Sequence, residues 1–394
     1  MSSYTVTRRP GHEPVSDPVR EYRLLTPLMG GGAEAGVPDE DFPVNGKAVR
    51  GQLRFWWRAL RGGQFGGDLL VMQQRERALF GGVALTSGGQ DQPSRFSLTV
   101  LPDPGAALSL MDVPGLNTSL GYLAFALRDK VHPVTGRPVR LMTGVQFTLE
   151  LTWDAPEPPT PEDRLDLEAA LWAWETFGGV GARTRRGFGA VSRLGQPEAA
   201  DLDGHVERQL RRFLTPGPWP GGVPHLSLNE ADRVVRRSTR TPESEHELLA
   251  GLLKTFRRST EGNAARGATL WPEPYSLSLA PSAGPQSFPR AALGLPIVFD
   301  KKGELNGTHV KRLASPVLFR PLRSGTQTYR VAVRLRSEPT DADPLGADGR
   351  LTVTINKKPY PGQRFLLTED EAAEVPLMND STDVAAAFLN TLRT

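Results

Sequence analysis

Apolar and polar positions in the first half of the chain recur in the order strand, helix, strand, strand, helix, strand. Glu21–Leu28 predicts a short strand that enters a glycine-rich loop, Met29–Gly32, and helical spacing predicts a helix over about Lys47–Leu60. Phe96–Leu101 and Gln146–Trp153 alternate or run apolar as strands do, and the proline-dense piece Asp154–Pro161 ends the second. A helix follows from about Glu162 to Phe177, with Asp163 or Asp166 as N-terminal anions. A second glycine-rich loop, Gly178–Gly189, leads into a strand at about Ala190–Leu194. That order is the ferredoxin-like split βαβ arrangement.

Gly195–Pro224, rich in proline and glycine, reads as an inter-domain region with a short helix at Gly204–Phe213. Beyond it the pattern partly recurs. Pro224–Leu228, Gly294–Phe299, Ala314–Phe319, Thr328–Arg336 and Leu351–Ile355 predict strands, while Glu243–Arg258 and Ser381–Leu392 predict helices. The expected class is α+β, with two ferredoxin-like domains and long Gly/Pro-rich insertions. The expected boundaries are a flexible tail over 1–20, a first domain over 21–200 and a second over 224–394.

Composition narrows the function classes. A length of 394 residues fits about two domains. With 38% hydrophobic and 23% charged residues, the chain can bury a core. No stretch approaches the roughly 18 uninterrupted apolar residues of a membrane span, and the polar N-terminus lacks the apolar middle of a secretory signal. The absence of cysteine excludes disulfides, thiolate zinc sites and cysteine nucleophiles. A cytoplasmic protein without membrane association is expected. Of 47 basic residues only eight are lysines. Arginine grips phosphate in a bidentate way and stacks on bases, so the positions of the arginines decide what that bias means.

Two constellations stand out. In VRGQLRFWWRALRGG, Arg50, Arg54, Arg58 and Arg61 fall within an arc of roughly 80° on a helix, Leu53, Trp56 and Leu60 occupy another, and Trp57 lies at the border, a candidate to stack on an RNA base or reach a neighbouring subunit. No Glu or Asp lies between Asp41 and Asp68, so the face has no acidic neighbour on its own helix and is expected to meet a polyanion. In GGVGARTRRGFG, five glycines allow a close backbone approach and amide N–H groups aimed at phosphate, with Arg183, Arg185 and Arg186 adding charge. Phe188 is placed either to stack on a base or to plug the core. The loop lacks a lysine, which excludes a Walker A motif, and its helix–loop–strand order does not fit a dinucleotide fingerprint.

LLTPLMGGGAE (Leu24–Glu34), VRGQLRFWWRAL (Val49–Leu60) and the glycine-arginine loop resemble the RAMP-superfamily subunit numbered one of type III-B CRISPR (Cmr) effector complexes. LGLPIVF (Leu293–Phe299) and KRLASPVLFRP (Lys311–Pro321) look like that family's second-domain segments. The resemblance implies a pair of ferredoxin-like (RRM/RAMP) domains, no cofactor and no metal. It further implies a place near the 3′ end of the guide crRNA, beside other RAMP subunits, where the family assists target RNA binding while cleavage belongs elsewhere. Lys311 and Arg312 are then candidates for a second-domain contribution to RNA binding.

Two rivals remain. A metal-independent RAMP endoribonuclease would need a general acid/base, usually histidine. The candidates are His12, His132, His205, His225, His246 and His309, none of them inside either motif, with His309 the one beside Lys311-Arg312. In a protein adaptor, the arginines would instead meet acidic partners.

Overall fold

The structure is a computed structural model that describes residues 13–32, 36–83, 90–127, 130–132, 134–258, 271–299, 303–340, 350–379 and 381–394. The first unit contains β1 (Glu13–Leu24), α1 (Gly46–Arg61), α2 (Leu69–Phe80) and β2 (Phe96–Pro102). An insertion follows, with β3 (Ser109–Asp112), α3 (Ser119–Leu123) and β4 (Arg140–Thr143). The unit closes with β5 (Gln146–Trp153), α4 (Pro161–Phe177), β6 (Val191–Arg193) and α5 (Leu202–Phe213). Its antiparallel sheet has the order β2-β5-β1-β6, the ferredoxin-like order. β5 shows how the pattern works. Phe147, Leu149, Leu151 and Trp153 point into the core while the residues between them are half-buried. α4 starts where Thr160 and Asp163 form a reciprocal capping box with Pro161 in the first turn.

The second unit has β7 (Arg233–Ser238) and α6 (Pro242–Arg258), then an insertion with α7 (Glu273–Leu279), β8 (Ile297–Val298) and β9 (Glu304–Gly307). The hairpin β10 (Val317–Ser324) and β11 (Gln327–Arg334) follows. After it come β12 (Leu351–Ile355), β13 (Lys358–Gln363), α8 (Glu369–Ala373) and α9 (Val384–Thr391). The sheet order β10-β11-β7 repeats three positions of the ferredoxin-like sheet, and among the described residues no strand fills the fourth. The strands β8 and β9 pair with β12 and β13 in a separate sheet, β13-β12-β9-β8, over a small core that includes Phe288 and Leu305.

β10 and β11 are buried along nearly their whole length because helices cover both faces. Leu318, Leu322, Tyr329 and Val331 join the first unit's core with Phe177 and Phe213. Phe319 and Ala332, on the opposite face, pack with Leu249 and Phe256 of α6 and Phe388 of α9. The two units therefore share a core. Each large apolar side chain buried in it contributes about 1.5–3 kcal/mol.

Several expectations are corrected. β1 begins at Glu13 and pairs with β5, so the expected tail is already sheet over 13–20; residues 1–12 lie outside the described residues. The stretch expected as an inter-domain region does hold its expected helix, α5, but Leu202, Val206, Leu210 and Phe213 of that helix are buried in the shared core, so the stretch is part of the first unit rather than a link. Pro224–Leu228 is not a strand, because His225 makes only an isolated bridge to Arg336. The strand falls instead on RVVRRS, where arginines broke the alternation that marks a strand. Of Gly294–Phe299, only Ile297–Val298 is strand.

Candidate nucleic-acid interface

The cationic face of α1 meets protein rather than solvent. Arg50 donates to the carbonyl oxygen of Phe80 at 3.0 Å, and Arg54 donates to the carbonyls of Phe80 at 3.1 Å and of Gly81. These oxygens belong to the C-terminus of α2, which ends without intrahelical donors and carries the negative end of the helix dipole. Arg58 holds both carboxylate oxygens of Glu76 at 2.8 Å, and Arg54 reaches the same carboxylate at 3.4 Å. Arg61 is buried and donates to Asp166 at 2.8 Å and to Thr215 Oγ1 at 2.6 Å. The expectation of an uncompensated face is therefore overturned: its counter-charges come from α2 and α4. Arg61 is closed off from solvent, while Arg54 and Arg58 retain side-chain exposures of 28% and 31%. Trp57 is fully buried against Phe65 and Phe80, so a base-stacking role for it is also corrected.

The glycine-arginine loop lies where the two units meet. A Cβ at Gly189 (φ +59) would sit 2.0 Å from the carbonyl oxygen of Val180, so glycine alone fits there. Much of the loop's amide capacity is already committed within the fold. Ala182 N donates to Met29 O at 2.7 Å, Val180 N to Gly189 O at 2.9 Å, and Gly189 N to Pro27 O at 2.9 Å. Phe188 is fully buried, edge-on to His246 with ring centroids 4.9 Å apart; it plugs the core, and stacking on a base is excluded.

The loop's arginines face the second unit. Arg185 donates to Ser315 O and lies 5.3 Å from the Phe55 ring centroid. Arg186 donates to Leu293 O at 3.1 Å and Val317 O at 3.5 Å. Arg183 adopts a left-handed backbone conformation (φ +58) and places its guanidinium 4.8 Å from the ring centroid of Phe125, itself exposed. Arg257, in the last turn of α6, acts electrostatically on both Arg183 and Arg186. Its neighbour Arg258 lies 5.2 Å from the ring centroid of Tyr122. Among the described residues none of these five arginines pairs with a carboxylate. Burial pushes the Arg185 guanidinium down to about 10, and burial together with Arg257 and Arg183 pushes Arg186 down to about 9. Both remain charged at neutral pH. The result is a band of cations backed by Phe55, Tyr122 and Phe125, which suits a flexible polyanion with bases to stack.

Arg257, Arg258, Tyr122 and Phe125 were not singled out from the sequence. The paired arginines that close α6 were a readable signal; that α6 ends against the loop was not. Lys311 and Arg312 are exposed in the link between β9 and β10, and no described contact joins them to the seam. Of the histidines, His246 is buried at the seam and His225 is buried and stacked on Trp219 at 4.3 Å. His132 caps a turn, His309 is exposed, and His12 lies outside the described residues. Among the described residues no cluster of three metal-ligating side chains occurs, and no helix is long and apolar enough to cross a membrane.

Two ferredoxin-like units joined across an arginine-rich glycine loop are the arrangement expected of a RAMP protein, and residues 21–192 match the RAMP superfamily model. The particular likeness is to the subunit called Cmr1. Cmr subunit Cmr1-2 of Pyrococcus furiosus is 27% identical over 187 residues, covering 43% of this chain and 91% of that one. Cmr1-1 of the same organism is 28% identical over 158 residues, 39% of this chain and 42% of that one. The crystal structure of apo Cmr1 from Pyrococcus furiosus superposes with a TM-score of 0.50 at 16% identity, over 83% of this chain and 89% of that one. A chain of the type III-B Cmr-beta complex bound to cognate target RNA gives 0.50 at 13% identity, over 81% and 94%.

Proposed function

We propose that this chain is a non-catalytic RNA-binding subunit of a type III-B CRISPR effector complex in the cytoplasm. It sits near the 3′ end of the crRNA, beside other RAMP subunits, and assists binding of target RNA in antiviral defence. One observation carries the reading: Arg183, Arg185, Arg186, Arg257 and Arg258 converge at the seam without a carboxylate partner among the described residues, backed by three aromatic rings. Uncompensated cations of this density favour a phosphate backbone. The likeness to Cmr1 chains supports the assembly.

His246, the histidine at the seam, is buried and held neutral, which argues against acid/base catalysis there. The deciding experiment is RNA binding across a salt series with the RNA checked for cleavage on gels, followed by crosslinking in a reconstituted complex with a photoreactive crRNA 3′ end. Salt-sensitive binding of intact RNA and a 3′-end crosslink are expected. Metal-independent cutting would move the assignment to an endoribonuclease and to His309.

A further inference from the structure

A cavity of about 400 Å³ opens between the glycine-rich loop after β1 and the turn that precedes β4. Its walls carry both signs of charge: Asp39 and Glu40 from the loop, and Arg137 and Arg140 from the turn and the start of β4. Among the described residues these four make no ion pair with one another or with any other group. Asp39 uses Oδ1 to accept from the amides of Asp41 (3.0 Å) and Phe42 (2.9 Å), which leaves Oδ2 without a bond among the described residues. His132 accepts at Nδ1 from the amides of Val134 (3.1 Å) and Thr135 (3.2 Å). The neutral imidazole then carries its proton on Nε2 as a donor. Val37 and Leu110 add an apolar wall.

A site that opposes free carboxylates to free guanidinium groups selects a ligand with donors on one edge and acceptors on another. Guanine fits best. Its N1–H and N2–H are parallel donors that match one carboxylate in a bidentate way, while O6 and N7 accept from arginine or from His132 Nε2. Adenine and cytosine place a ring acceptor beside the amino group, which a carboxylate repels, and uracil offers one N–H between two carbonyls. The volume is in the range of small-ligand sites. The cavity also adjoins the seam. Leu28 and Met142 exchange backbone hydrogen bonds at 2.7 and 3.1 Å on one side of the glycine-rich loop, and Ala182 N donates to Met29 O at 2.7 Å on the other.

We infer that this cavity receives one unpaired guanine of an RNA strand held on the arginine seam, with Asp39 or Glu40 reading its Watson–Crick edge and Arg137 or His132 its acceptors. The RNA source rests on the proposed RNA binding; the guanine chemistry does not.

The test uses the full chain and two sets of probes: oligouridylates about twelve nucleotides long with one central guanosine or adenosine, and the free nucleotides GMP, AMP, CMP and UMP. The guanosine RNA is expected to bind about tenfold tighter than the adenosine RNA, as one bidentate base contact gives. An Asp39→Asn/Glu40→Gln variant should lose that preference and keep its affinity for oligouridylate, because the amide introduced at position 39 retains the turn-forming acceptor oxygen. Glu40→Gln alone serves should the double variant fold poorly. Equal affinity for both RNAs and no selectivity for GMP would remove the guanine pocket while leaving the RNA reading intact. Selective GMP binding without RNA binding would keep the pocket and overturn its RNA source. Absence of both would overturn the two together.

Discussion

His246 of α6 places Nε2 2.9 Å from the carbonyl oxygen of Arg186 in the glycine-arginine loop, 60 residues away in the chain. The imidazole is fully buried, and burial pushes its pKa down to about 4, outweighing the pull of the carbonyl toward the charged form. The loop is thus locked to the second unit by a neutral histidine.

This lock makes stability depend on pH. The ordinary value for histidine is about 6.5, so between about pH 4 and 6.5 the unfolded chain binds a proton that the folded one does not. Stability from this group is complete above about pH 6.5 and falls as the pH drops, by at most about 3 kcal/mol at pH 4. Melting curves from about pH 8 to 5 should show that loss in the wild type and a flatter profile in His246→Phe. Parallel profiles would dissociate the pH dependence from His246.

Arg320 is buried on the face of β10 that meets the first unit. It donates to Pro321 O at 3.0 Å and Glu175 O at 3.2 Å, and also to the carbonyls of Gly178 and Val191. Arg320→Ala leaves a cavity and strands buried carbonyls, and a loss of about 3 kcal/mol or more is expected in chemical denaturation.

Glu76 collects Arg54 and Arg58 between α1 and α2. Glu76→Gln should cost about 1–2 kcal/mol, since both cations are partly solvated, and should leave RNA affinity within about twofold. A large fall in affinity for Arg58→Ala with the fold intact would return α1 to the RNA interface.

At the seam, Arg183→Ala and Arg258→Ala should each weaken RNA binding irrespective of sequence and lower the salt slope by about one. Fluorescence anisotropy at several ionic strengths reads both quantities. Unchanged slopes in folded variants would show that these arginines meet no phosphate.

The sequence by itself determined the six elements of the ferredoxin-like frame in the first unit and their order, because those strands and helices carry period-2 and period-3.6 apolar patterns that local chemistry enforces, whereas α2 and the insertion elements β3, α3 and β4 were not legible in it. Gln146–Trp153 and the helix ending at Phe177 fall where the pattern places them. It also located the glycine-arginine loop, since only glycine tolerates positions such as Gly189. Tertiary structure alone decided which arginines meet a carboxylate. On α1, the missing acidic neighbours were supplied by Glu76 and Asp166 from other helices, and a pattern confined to one helix contains no term for them. Trp57 and Phe188 are closed off by neighbours from distant segments, among them Phe80 and His246. Arg257 and Arg258 gain their place because α6 ends against a loop far earlier in the chain. Side-chain periodicity fixes which face of an element is buried; what that face meets depends on packing between elements, and here that packing brought carboxylates to the α1 arginines and, among the described residues, none to those of the seam.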